Sequence, residues 1–102
     1  MKAVQVTYTT TAAYSAQNQA NIKKVMDDLQ QLNHPGIFYH TCMQTNGQTF
    51  IHTAFFEPAE NEQVLFALES FKSFQQQLKA SSPEVAPKQE ILTLIGSSKN
   101  IF

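Results

Sequence analysis

The chain has no Trp, no Arg, a single cysteine (Cys42), three glycines and no long apolar run. Each absence removes a class of function. Without Arg there is no bidentate clamp for a carboxylate or a phosphate, and Lys23-Lys24 is the only adjacent basic pair. At a formal net charge of −1 the chain also lacks the clustered cations that meet a nucleic-acid backbone. Nucleic acid is therefore not an expected partner. One cysteine excludes a disulfide within the chain, so nothing demands an oxidising compartment. The opening segment MKAVQVTYTT alternates and lacks the unbroken apolar stretch of a secretory signal. No segment reaches the roughly 18 apolar residues of a membrane helix. The expected location is the cytoplasm, and no membrane contact is expected.

What is present is best read from residues 37–56. The runs IFYHTCMQ and TFIHTAFF flank Asn46-Gly47, a pair that tolerates the positive φ angles of a two-residue hairpin turn. That turn pairs Met43 with Phe50, Thr41 with His52 and Tyr39 with Ala54, and cross-strand partners share a face. One face then carries Ile37, Tyr39, Thr41, Met43, Phe50, His52, Ala54 and Phe56. The other carries Phe38, His40, Cys42, Gln44, Thr49, Ile51, Thr53 and Phe55. No residue in the hairpin is charged, apart from any protonated histidine. A sheet with one wet side shows charged residues there, so both faces need cover.

The rest of the chain builds the frame. Val4, Val6 and Tyr8 alternate with Gln5, Thr7 and Thr9 as a first strand. Ser15 is a candidate helix N-cap, followed by Ile22, Val25, Met26, Leu29 and Leu32 at helical spacing. Asn33-His34-Pro35-Gly36 ends that helix. After Glu57-Pro58, a second helix carries Val64, Leu65, Leu68, Phe71, Phe74 or Gln75, and Leu78. Two Pro-containing stretches, 81–83 and 86–87, read as loop, and 89–95 reads as a fourth strand. The order β-α-β-β-α-β is a ferredoxin-like α+β fold, a four-stranded antiparallel sheet with two helices on one face. The helices cover one side of the sheet. A second copy is the cheapest cover for the other, which predicts a homodimer built as a dimeric α+β barrel. The domain runs over residues 1–96. Residues 97–102 form a tail whose Ile101-Phe102 either packs on the partner subunit or frays.

The third strand running into Phe55-Phe56-Glu57-Pro58-Ala59-Glu60, the helix with Phe71, Phe74 and Leu78, then Ser82-Pro83 and the strand Glu90-Ile91-Leu92-Thr93-Leu94 carry a family likeness. In these stretches the chain resembles the antibiotic-biosynthesis-monooxygenase-like dimeric α+β barrels, over almost its whole length. The resemblance implies a small cofactor-independent monooxygenase-like enzyme, using neither metal nor flavin, that acts on an apolar or aromatic molecule. The alternative it leaves open is a non-catalytic ligand-binding or structural homodimer of the same fold. Many members carry an acidic residue in the third strand, where this chain has Ala54, and a His early in the second helix, where it has Leu65 or a neighbour. Haem-degrading members use a Trp, which this chain lacks, so haem chemistry is not expected.

The pocket implied between sheet and helices has His52 as general base and Tyr39 as orienting donor. His titrates near physiological pH, which suits it to proton transfer. Thr41, Phe55, Phe71, His40 and Tyr8 are the further candidates for the wall. The two faces of the hairpin divide these residues, so only one subset can serve one pocket. Each also has a plain structural reading: His52 as a histidine bonded to a neighbouring Thr, the tyrosines and phenylalanines as core, Cys42 as an inert thiol. His40 and His52 point to opposite faces, and a metal needs three or four convergent ligands, so no metal is expected.

Overall fold

The computed structural model describes residues 1–102. The elements follow in the order β1 (Lys2–Thr9), α1 (Ser15–Leu32), β2 (Ile37–Met43), β3 (Thr49–Phe56), α2 (Glu62–Ala67), α3 (Glu69–Ala80) and β4 (Val85–Leu92). The strands form one antiparallel sheet ordered β2-β3-β1-β4, as a ferredoxin-like fold requires. Tyr8, Phe50, Ala54 and Phe56 from one face of the sheet share a buried cluster with residues from every helix. These are Ile22 and Val25 of α1, Leu65 of α2, and Phe71, Phe74 and Leu78 of α3. All the helices therefore lie on that face. Burying a large apolar side chain of this kind contributes about 1.5–3 kcal/mol, so this cluster anchors the helix layer to the sheet.

The hairpin keeps the register expected from sequence, with Tyr39 opposite Ala54, Thr41 opposite His52 and Met43 opposite Phe50. Its turn is wider than the two residues expected. Gln44 N–H donates to the Thr49 carbonyl and Gly47 N–H to the Gln44 carbonyl. Only Gly47 takes a left-handed φ, at 74°. The Asn46 side chain instead accepts from the backbone N–H groups of Gln48 and Thr49, each at 2.9 Å, so it closes the turn through its carboxamide. The loop grew by one residue on each side, which leaves the pairing unchanged.

Four further expectations change. Ser15 does not cap α1: Thr11 receives the Tyr14 N–H and opens a short 3₁₀ turn ahead of the helix. The Ser15 hydroxyl donates instead to the Gly47 carbonyl, tying α1 to the hairpin loop. Leu32 stays exposed at the C-terminal end of the helix. Asn33, with φ 48°, does take the left-handed cap, its N–H donating to the Leu29 carbonyl. The second helix is two helices, because Leu68 is extended (φ −68°, ψ 128°). In one continuous helix Leu65 and Phe71 would point about 120° apart, six residues at about 100° each. The break lets both face the core.

The fourth strand begins earlier than expected, at Val85, and ends at Leu92. Pro87 lies inside it. β4 is an edge strand paired only with β1, and its register shifts between Thr7 and Thr9. Pro is tolerated at such an edge or bulge, where no ladder N–H is required. Thr93 to Phe102 form no regular element. Away from the helices, the sheet presents Phe38, His40 and Cys42 of β2, Ile51, Thr53 and Phe55 of β3, and Gln5 and Thr7 of β1. Only Lys88 and Glu90 of β4 add charge to this face, and they pair with each other at 3.6 Å.

Candidate functional site

The helix-side face of the sheet brings three strands together around one imidazole. His52 sits mid-β3, opposite Val6 of β1 and Thr41 of β2. Alternation then puts Tyr8, Tyr39 and Thr41 on the same side. The Tyr8 hydroxyl lies 2.7 Å from His52 Nε2. The Tyr39 hydroxyl lies 2.6 Å from Nδ1, and the Thr41 hydroxyl 3.0 Å from the same nitrogen. Beyond Tyr8, Asn18 of α1 donates from Nδ2 to the Tyr8 oxygen at 2.8 Å. His52 is 5% exposed, Tyr8 1% and Asn18 0%. The imidazole is flanked by aromatic rings, with Tyr8 at 5.2 Å and Phe74 at 5.3 Å between centroids. Phe71 meets Tyr39 edge-on at 6.4 Å.

Burial sets the protonation of the group. Removal from water penalises the imidazolium and pulls His52 down to about 4. Burial also holds the Tyr8 phenol well above its ordinary value, opposed by the bond from Asn18. Tyr39 is likewise raised, first by burial and then by the nearby Tyr8, with Thr41 acting the other way. At neutral pH the cluster is uncharged. It offers hydroxyl protons and a neutral imidazole to anything that reaches it.

A cavity of about 380 Å³ reaches it, which is the size of a small-molecule site. Val6, Tyr8, Tyr39, His52, Phe71, Phe74 and Leu78 line it between α3 and the sheet, and the exposed Gln75, Lys79, Ala86 and Pro87 mark its mouth. A second hollow of about 580 Å³ follows α1 and the outer edge of β2. Its lining takes Ile37, Tyr39 and Met43 from one face of β2 and Phe38, His40 and Cys42 from the other, so it wraps the edge of the sheet as a groove. The first cavity holds the convergent polar groups.

Of the residues singled out from sequence, Tyr8, Tyr39, Thr41, His52 and Phe71 come together. His40 and Phe55 do not. Both lie on the sheet face turned away from the helices, where Phe38 touches each of them, because one residue of strand separates opposite faces. Asn18 is not among the residues that the sequence pattern singles out. It stands four residues before Ile22, one turn up the apolar stripe of α1, and a carboxamide on such a stripe was the available signal. No cluster of His, Cys, Asp or Glu is arranged to hold a metal ion, and no helix is long and apolar enough to cross a membrane.

Fold and site together define a ferredoxin-like α+β domain with an apolar cavity whose polar groups gather at its floor. No protein-family model matches the chain, and no curated protein is significantly similar to it. Solved structures are. A protein described as a putative antibiotic biosynthesis monooxygenase from Deinococcus radiodurans superposes with a TM-score of 0.74 at 16% identity, over 100% of this chain and 99% of that one. A second so described, from Nitrosomonas europaea, gives 0.79 at 8% identity, over 94% and 100%. SnoaB, a cofactor-independent oxygenase from Streptomyces nogalater, gives 0.67 at 11% identity, over 97% and 98%. The chain has the fold of the antibiotic biosynthesis monooxygenases along nearly its whole length.

Proposed function

We propose that this protein is a small cofactor-independent monooxygenase-like enzyme that takes an apolar or aromatic molecule into the cavity between α3 and the sheet. The observation that carries the reading is the convergence of Tyr8, Tyr39 and His52 on the floor of an otherwise apolar cavity. The shared fold with SnoaB, described as a cofactor-independent oxygenase, supports it. The suited substrate is an aromatic ketone with an enolisable CH₂ group. Tyr39 donates to the ketone oxygen and stabilises the negative charge that develops there, an effect worth about 10²–10³ in rate. His52 is the base, receiving the CH₂ proton by way of the Tyr8 hydroxyl bonded to its Nε2, a contribution worth about 10²–10⁴. The carbanion then adds dioxygen, the oxidant. Return of the proton gives a hydroperoxide, and loss of water from it turns the CH₂ into a carbonyl.

The test is oxygen uptake with a panel of such ketones, with no metal or flavin added. One dioxygen consumed per ketone, and a loss of about 10²-fold in kcat for His52→Gln, are the expected results. Ketones that bind but consume no oxygen retire the enzyme and leave the second reading, a non-catalytic binding protein. One observation favours that second reading: both ring nitrogens of His52 are already bonded within the protein.

The sheet face opposite the helices is the proposed homodimer interface, with a second copy as its cover. Support comes from Phe38, which is 42% exposed on that face, beside Phe55 and Ile51 and with only one ion pair at the margin. The exposed thiol of Cys42, alone in the chain, suits a reducing compartment such as the cytoplasm.

A further inference from the structure

The protons in the His52 cluster can be placed by counting donors and acceptors. Tyr8 has one proton, and its hydroxyl has two neighbours, Asn18 Nδ2 and His52 Nε2. Asn18 Nδ2 is a donor and cannot accept that proton. Were the carboxamide turned over, its buried NH₂ would have no partner at all, a rarer fault than the unpartnered carbonyl oxygen it now leaves. With Tyr8 buried, an idle hydroxyl proton is costly. The Tyr8 proton therefore goes to His52 Nε2. A neutral imidazole then carries its own proton on Nδ1, which donates to the Tyr39 oxygen 2.6 Å away or to Thr41 at 3.0 Å. Tyr39, at the wall of the cavity, then has no acceptor in the imidazole, and its O–H is left to Thr41 or to a ligand oxygen.

We infer that Asn18 is a positioning residue that orients a one-way hydrogen-bond chain, Asn18 to Tyr8 to His52 to Tyr39. By acting as a donor it leaves Tyr8 no acceptor but His52. This divides the floor of the cavity into two ends with different roles. At the Tyr39 end the phenol proton is available to a ligand oxygen. At the Tyr8 end the oxygen can take a ligand proton while its own passes to Nε2, which leaves an imidazolium between the two tyrosines. That use of the chain rests on the cavity being the ligand site proposed above. The direction of the chain does not.

The experiment is nitrogen-15 NMR of the His52 ring in the ligand-free protein, read through long-range couplings to the ring protons. Nδ1 with a pyrrole-like shift and Nε2 with a pyridine-like shift are expected for the native chain. The reverse pattern overturns the inference. Asn18→Asp, measured at pH 8, supplies an acceptor for the Tyr8 proton. The proton then sits on Nε2 and the two shifts exchange. An unchanged pattern in a folded Asn18→Asp protein overturns the role of Asn18. Should that variant not fold, Asn18→Leu removes the donor without adding an acceptor and keeps the native pattern; an exchanged pattern in it overturns the inference. If the native pattern is as expected and the ketones do not bind, the chain direction stands and the proposed function falls.

Discussion

His52 concentrates the consequences of burial in one side chain. Unfolded, it titrates near 6.5, and in the folded protein burial brings it down to about 4. Between those values the unfolded chain carries a proton that the folded chain does not, so stability is full above about 6.5 and falls as the pH drops. The loss amounts to about 3 kcal/mol by pH 4, at about 1.4 kcal/mol per unit. Urea unfolding of the native protein and of His52→Gln over this range checks it, and the variant should lose less stability on acidification. If His52 is the base, the acid limb of the rate lies near 4 rather than near 6.5. Tyr39→Phe, which keeps the ring and removes the donor, should weaken kcat about 10²-fold with little change in fold.

Gly36 shows how one backbone position holds two elements together. A Cβ there would run into the Asn61 carboxamide and the Glu57 carbonyl. The Gly36 carbonyl accepts from Glu57 N–H at 3.0 Å, and Asn61 donates to the Glu57 carbonyl at 2.9 Å. The start of β2 thus lies against the connection from β3 to α2, and only hydrogen fits between them. Gly36→Ala should cost about 1–3 kcal/mol by overpacking and lower Tm by roughly 4–8 °C for each kcal/mol, read by calorimetry. The break at Leu68 belongs to the same scale. No Pro or Gly marks it, so the run Val64 to Leu78 looks like a single helix until Leu65 and Phe71 are both required to meet the sheet.

At the scale of the whole molecule the two sides of the sheet differ in what covers them. One side carries α1, α2 and α3. The other carries Phe38, Phe55 and Ile51 with no helix over them. A face-to-face pair of sheets buries an area of about 1,600 Å² or more in a stable complex. Light scattering on a sizing column should then give twice the 11.5 kDa chain mass at micromolar concentration. Phe38→Lys places a charge where an apolar contact is proposed and should shift the mass to that of one chain. A dimer of undiminished mass in that variant would remove this face as the interface.

The period-two pattern of residues 37–56 by itself determined the hairpin register, and the order of strand and helix patterns determined the ferredoxin-like frame. Both are local properties, set by alternation and by turn chemistry. Pairing also placed Tyr39, Thr41 and His52 on one face, since cross-strand partners share a side. The sequence could not say which face met the helices, because both are largely uncharged. Only the packing of Ile22, Phe71 and Phe74 against Tyr8, Phe50 and Phe56 decided that, and with it that His52 is buried while His40 faces away. Packing likewise drew Pro87 into an edge strand, broke the second helix at Leu68 and set Asn18 against Tyr8. Each of these depends on contacts between different elements, and such contacts are selected by three-dimensional fit, which no local pattern records.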